Sequence, residues 1–276
     1  MEFNEYQPVS HDPASQVPAL DVLEAYKEGW LAFLENIGKW LAVGVVGYIV
    51  IIVSAMTFIG MFLVLPLIFW GYVRFTLNTI DGYARFEDLF SGFNDFGRNW
   101  ARMSMLLFVF FVVSLAVSIV TSILGVINPL LGSIISFLAW TVLSFAYLPR
   151  LVCTPFLIVE QEYSAIDAIK KSWQVSEHCN VQLIGLFVSF SLGSFICYLP
   201  LAFMAGPLLK ISGQVTKNPS DPMALIAPIL ESALSFVGLF SLSMILITAL
   251  SIIFYGAAAS AYRQLASRPG QVESAL

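Results

Sequence analysis

Long apolar stretches, broken by short polar or basic segments, dominate the chain. Between Lys39 and Arg74 the 34 intervening positions hold no charged residue. As one helix they would extend roughly 50 Å at about 1.5 Å per residue, too far for a bilayer core of about 30 Å. A hairpin of two spans turning near Ser54 to Gly60 fits better, its second arm passing Pro66 and ending with Arg74 at the headgroups. A third span is expected from Met103 to Ile127, stopped by the turn pair Asn128-Pro129. The fourth runs from Leu130 to about Tyr147, and the apolar stretch Leu151 to Val159 follows it as either a kinked continuation or an interfacial piece. The fifth covers Val181 to about Ala205. The sixth lies within Met223 to Tyr262, as a short leading helix plus one span.

A polar-apolar pattern of helical period precedes three of these spans. Glu24-Ala25-Tyr26-Lys27-Glu28-Gly29-Trp30 matches Asp167-Ala168-Ile169-Lys170-Lys171-Ser172-Trp173, and Phe86 to Phe93 is a looser third copy in which Gly92-Phe93 takes the place of Gly29-Trp30. Val22, Tyr26, Trp30, Phe33 and Ile37 form one stripe, and Ile166, Ile169 and Trp173 another. Asp21 and Ser164 stand as N-caps, each with an acid three residues on. Amphipathic helices are expected at about 21–38, 86–98 and 164–177, lying in the headgroup layer with aromatic groups dipping into the acyl boundary. The small residue beside each aromatic lets another backbone approach closely. Lys27, Gly29, Trp30, Gly92, Phe93, Lys170, Ser172 and Trp173 are thus the candidate surface for lipid headgroups or a protein partner. The plainer reading is an elbow that orients the next span.

Composition agrees with a membrane fold. The chain of 276 residues is 58% hydrophobic and 11% charged, with a mean hydropathy of +0.84; soluble domains average about 25% charged. The expected architecture is an all-α polytopic transmembrane bundle of six spans forming one membrane domain over 21–263. A polar, disordered cytoplasmic tail at 1–20 and a cytoplasmic C-terminal tail at 264–276 flank it. With the N-terminus inside, eleven Lys and Arg fall on cytoplasmic segments, and only Lys210 and Lys217 fall outside.

Chemistry finds little support. A net charge of −5 lacks the basic face that nucleic acid requires. Three cysteines without a C-x-x-C motif and the separated His11 and His178 give no metal-ligand spacing. No phosphate-binding loop, nucleophile elbow or zinc-protease motif occurs, so no catalytic, cofactor-binding or metal residue is assigned. Glu231, inside the sixth apolar region, is either an intramembrane relay acid or an interfacial carboxylate. Glu160 and Arg150 stand near an inner boundary, free to pair or to snorkel. Ser and Thr in the third and fourth spans, with Ala42, Gly44 and Gly47 in the first, suit close helix packing. Trp30, Trp40, Trp70, Trp100 and Trp173 fall where an aromatic belt is expected, and Trp140 deeper.

The order of short motifs, Leu89 to Phe93 (LFSGF), Tyr147 to Leu151 (YLPRL), Pro155 to Glu160 (PFLIVE), Ala165 to Trp173 (AIDAIKKSW) and Phe254 to Arg263 (FYGAAASAYR), resembles the membrane domain fused to some glycerophosphoryl diester phosphodiesterases. It is also similar to the YciC-type six-span bacterial inner-membrane proteins. The resemblance implies a compact six-helix domain in a bacterial cytoplasmic membrane. It implies no enzyme activity, because hydrolysis in the fused proteins belongs to a separate barrel domain of about 250 residues. The expected role is a non-enzymatic membrane module: a scaffold, partner subunit or envelope-maintenance factor. The alternative is a transporter or channel for a small or lipidic solute, which the six spans, the partial repeat and Pro66, Pro149 and Pro200 would suit.

Overall fold

In the computed structural model, which describes residues 20–202 and 223–266, the chain builds an all-α bundle. The helices are α1 (Val22–Glu35), α2 (Ile37–Ala55), α3 (Phe58–Ile80), α4 (Phe96–Ile127), α5 (Pro129–Val142), α6 (Thr154–Glu160), α7 (Ala165–Ser176), α8 (Asn180–Ala202) and α9 (Met223–Ala266). A 3₁₀ segment, Phe86–Phe93, lies between α3 and α4; a π turn, Leu143–Tyr147, and a 3₁₀ turn, Leu148–Leu151, link α5 to α6. Among the described residues, six helical stretches are long and apolar enough to cross a membrane: Ile37–Ser54, Ile59–Ile80, Phe96–Ile127, Pro129–Glu160, Asn180–Pro200 and Gly238–Ala266.

Side chains set several of the boundaries. Asp21 caps α1, its carboxylate accepting the Glu24 N–H at 3.0 Å. Thr57 begins α3 the same way at Gly60, 3.2 Å, which closes the hairpin expected near Ser54 to Gly60. Asn128 caps α5 by accepting the N–H groups of Leu130 and Leu131, both at 3.1 Å, and Pro129 supplies the first helical position, where its missing N–H costs nothing. Ser164 accepts the Asp167 N–H at 3.2 Å and starts α7.

Some expectations need correction. Residues 223–266 form one helix rather than a short leader plus a span, and it continues through Ala266. The stretch Leu151 to Val159, open to two readings in sequence, continues the fourth span, with a π and a 3₁₀ turn interrupting the helix before α6. The helix expected over 86–98 divides into the 3₁₀ segment and the start of α4 at Phe96. The helix expected over 21–38 ends at Glu35, and Ile37 already belongs to the first span. The terminal tails at 1–19 and 267–276, and the loop with Lys210 and Lys217, lie outside the described residues.

Apart from Glu231, whose side chain is outside the described residues, the charged residues of the described segments flank the spans at one end of the bundle, called here the charged end. The spans hold no charged residue over 40–73, 103–149, 181–202 and 238–262. The main core also sits toward the charged end, around Trp70, Val73, Met103, Leu106, Phe156, Ile158, Leu183, Leu186, Ala257 and Tyr262. A smaller cluster of Trp40, Val43, Ile68, Phe75 and Leu89 joins α2 to α3. α3 is the central span, far more buried than the other five. Toward the other end the helices expose large apolar side chains such as Val126, Ile127, Leu130, Phe137, Phe195 and Ile245, a surface that suits acyl chains and not water.

Candidate functional site

At each of the three repeated elements the small residue is buried and its aromatic neighbour faces outward. In α1, Ala25 and Gly29 are buried while Leu23, Lys27, Trp30 and Leu34 are exposed. In the 86–93 segment Leu89 and Gly92 are buried while Phe86, Phe90 and Phe93 are exposed. In α7 the buried stripe is Ala165, Ala168, Ser172 and Ser176, while Ile166, Lys170 and Trp173 are exposed. The stripes expected to dip together into the acyl boundary are therefore split. Val22, Tyr26, Phe33 and Ile169 are half-buried, and the largest apolar groups point away from the protein. Only small side chains allow these elements to seat on the bundle, and among lipids the large apolar ones carry no cost outside.

The three seats differ. A Cβ on Gly29 would lie 2.5 Å from the backbone nitrogen of Ala257 and 2.8 Å from the carbonyl carbon of Gly256 on α9. A Cβ on Gly92 would lie 2.4 Å from the carbonyl oxygen of Leu67 on α3. Reciprocally, one on Gly71 of α3 would lie 1.8 Å from the carbonyl oxygen of Leu89. Ser172 instead donates its hydroxyl to the backbone carbonyl of Arg150 at 2.7 Å, and Ser176 donates to the same oxygen at 3.4 Å. The elements thus dock on α9, on α3 and on the 148–151 turn.

α1 runs antiparallel to the end of α9. The Asp21 N–H donates to Gln264 Oε1 at 3.1 Å, Ser260 donates to the Glu28 carboxylate, and Gly29 meets Gly256 further along. The helix therefore lies alongside the last span, in the opposite direction, instead of across it. The Tyr26 hydroxyl donates to the Leu186 carbonyl at 2.9 Å, tying α1 to α8. Burial raises the Tyr26 phenol above its ordinary value, a shift the Ser189 hydroxyl partly offsets, so the phenol keeps its donor proton.

A second device joins the same end. Arg263, in the last turn of α9, pairs with Asp81 after α3 and with Glu160 at the end of α6. Its Nε donates to Asp81 Oδ1 at 3.0 Å. The Tyr262 hydroxyl donates to Glu160, and Gln161 donates to that hydroxyl at 3.3 Å. Glu162 then meets Arg98 at 3.2 Å and Arg102 at 3.3 Å on α4. Three consecutive residues, Glu160, Gln161 and Glu162, therefore staple α6 to α9 and α4. Glu162 takes φ +56°, a left-handed conformation that costs a non-glycine residue about 1–2 kcal/mol. It turns the chain from α6 toward α7 and leaves its carboxylate on the two arginines.

Glu160 and Arg150 do not pair with each other. Arg150 stacks its guanidinium on Trp173, 4.5 Å from the ring centre, and its Nε donates to Asn180 Oδ1 at 3.1 Å. Of the tryptophans expected in a belt, Trp40 and Trp70 are core residues, 2% and 3% exposed. Trp40 meets Phe75 and Tyr72 edge-on. Trp30 and Trp173 are exposed, and Trp100 donates its indole N–H to the Phe62 carbonyl at 3.3 Å. Gly44 and Gly47 have open space where a Cβ would stand, whereas Gly132 abuts Gly125 at the α4–α5 turn. Close packing thus occurs at glycines other than those two. Thr121, Ser133 and Thr141 donate to carbonyls of their own helices. Glu231 lies on α9, with its side chain outside the described residues.

Sequence reasoning singled out the small residues at 29, 92 and 172 but not their counterparts Gly71 and Gly256, nor the cluster of Asp81, Glu160 and Arg263. The available signal was that acids and bases flank several spans at one level. Which acid meets which base depends on helix order in space. No family model, no curated protein and no solved structure matches the chain.

Proposed function

We propose that this multi-pass membrane protein is a non-enzymatic module of a bacterial inner membrane, with both termini in the cytoplasm, acting as a scaffold or partner subunit through its charged end. The observation that carries the reading is the inward small residue and outward aromatic at all three repeats. This arrangement seats each element on the bundle and leaves Lys27, Trp30, Phe93, Lys170 and Trp173 exposed toward a headgroup layer or a partner. The ionic groups at that end serve as interhelical staples between Arg263, Asp81, Glu160 and Glu162. The bias of Lys and Arg supports the orientation. The order of short motifs shared with the phosphodiesterase-linked and YciC-type membrane domains supports the class.

The test is purification of the tagged full chain in mild detergent, beside Lys27→Glu and Lys170→Glu variants. A stoichiometric protein companion, kept by the wild type and lost from both variants, is the expected result. A chain that purifies alone and drives saturable solute uptake into proteoliposomes would overturn the reading in favour of transport. Reporter fusions after Gly82 and after Glu162 should both report cytoplasm.

A further inference from the structure

We propose that the groove between α4 and α5, together with the Arg150–Trp173 pair at its inner mouth, is a binding site for one anionic phospholipid. An acyl chain would lie between the helices and the phosphate would rest on Arg150. The inference needs only that the chain spans a bilayer, and it goes beyond the module reading above.

The groove arises from how the hairpin is built. At its tip the helices touch backbone to backbone, a Cβ on Gly132 lying 2.4 Å from the Gly125 Cα. Toward the charged end, α5 passes into the π turn at Leu143–Tyr147 and leaves α4. Between them opens a cavity of about 570 Å³ lined by Val113 and Val117 of α4, Ala139 and Val142 of α5, and Leu143 and Tyr147 of the π turn. Its walls are almost wholly apolar, and its size lies within the about 300–1,000 Å³ of pockets that hold small ligands. π turns of this kind recur at functional sites.

The mouth is polar, and its geometry is continuous with the groove. The Tyr147 ring, which lines the cavity, lies 5.9 Å from the Trp173 ring, and the Arg150 guanidinium covers that ring at 4.5 Å. One guanidinium nitrogen is held by Asn180, and Ser172 and Ser176 fix the Arg150 backbone carbonyl. The fork is therefore positioned, yet among the described residues no carboxylate stands within ion-pair distance of it. Arg98, Arg102 and Arg263, by contrast, all have acids. Lys170, exposed and one turn before Trp173, adds a second cation to this face of α7. An oriented arginine on an aromatic ring, beside a slot for hydrocarbon, matches a ligand with a phosphate at one end and an acyl chain at the other. The unanswered positive charge selects an anionic headgroup over a zwitterionic one.

The full chain in detergent, titrated with phosphatidylglycerol or phosphatidylcholine and observed by native mass spectrometry, tests the headgroup. The wild type should retain one phosphatidylglycerol in preference to phosphatidylcholine by about tenfold, the scale of one charge-assisted contact. Arg150→Gln should remove that preference, and Ala139→Phe, which fills the groove, should lower retention of both lipids. A second measurement needs no variant. Phosphatidylglycerol with a photoactivatable acyl chain, reconstituted with the wild type, should crosslink mainly to peptides holding Val113 to Val117 and Leu138 to Val142. Equal retention of the two lipids, or crosslinks spread evenly over the exposed apolar faces, overturns the proposal.

Discussion

Gly29 of α1 and Ala257 of α9 meet backbone to backbone, with room for a hydrogen and not for a methyl group. Gly256 on the same turn of α9 is confined less tightly, since a Cβ there would stand 3.0 Å from the Gly29 Cα. This contact brings α1 against the last turns of the last span, so the first and last described helices meet at the charged end. The hydrogen bonds from Asp21 to Gln264 and from Ser260 to Glu28 flank it.

Gly29→Ala should therefore destabilise the protein by about 1–3 kcal/mol, the usual cost of adding atoms to a filled contact. Gly38→Ala, one residue into the next helix with nothing near the added carbon, should be neutral or stabilising by up to about 1 kcal/mol, because glycine is the poorer helix former. Thermal unfolding in one detergent compares them. Equal midpoints for the two variants would refute the tight seat.

Gly71 and Gly92 hold the 86–93 segment on α3 from opposite sides, and the added carbon at Gly71 comes closer to backbone than that at Gly92. Gly71→Ala is expected to lower the midpoint more than Gly92→Ala, and both more than Gly97→Ala, where the space is open. The order of the three midpoints is the measurement.

Arg263 serves two carboxylates at once. Its replacement by Gln should cost about 1–3 kcal/mol, between an exposed pair and a fully buried one, since its side chain is 30% exposed. A double-mutant cycle with Asp81→Asn should show strong coupling, the second change costing much less once the first is made. Additive losses would mean that the pair contributes nothing.

At Glu162 charge and backbone conformation oppose each other. Glu162→Gln keeps the left-handed residue and removes the charge facing Arg98 and Arg102, so it should destabilise by up to about 1 kcal/mol, as expected for half-exposed pairs. Glu162→Gly loses the same pairs but relieves the φ of +56°, and should be at least as stable as the Gln variant. A Gly variant less stable than Gln would contradict this account of the turn.

Local pattern alone determined the all-α class, six spans, the hairpin turn between Ser54 and Gly60, the stop at Asn128-Pro129 and the N-caps at Asp21 and Ser164, because each rests on apolar length or on bonds to near neighbours. The small-plus-aromatic repeat was equally legible, and so were the residues at 29, 92 and 172. Only tertiary structure decided that these residues face inward while Trp30, Phe93 and Trp173 face out, that Trp40 and Trp70 belong to the core, and that Arg263 rather than Arg150 answers Glu160. The physical reason lies in the solvent. In water, periodicity tells inside from outside because only one face is apolar. Among acyl chains both faces are, and the inward one is chosen by how closely two backbones can approach.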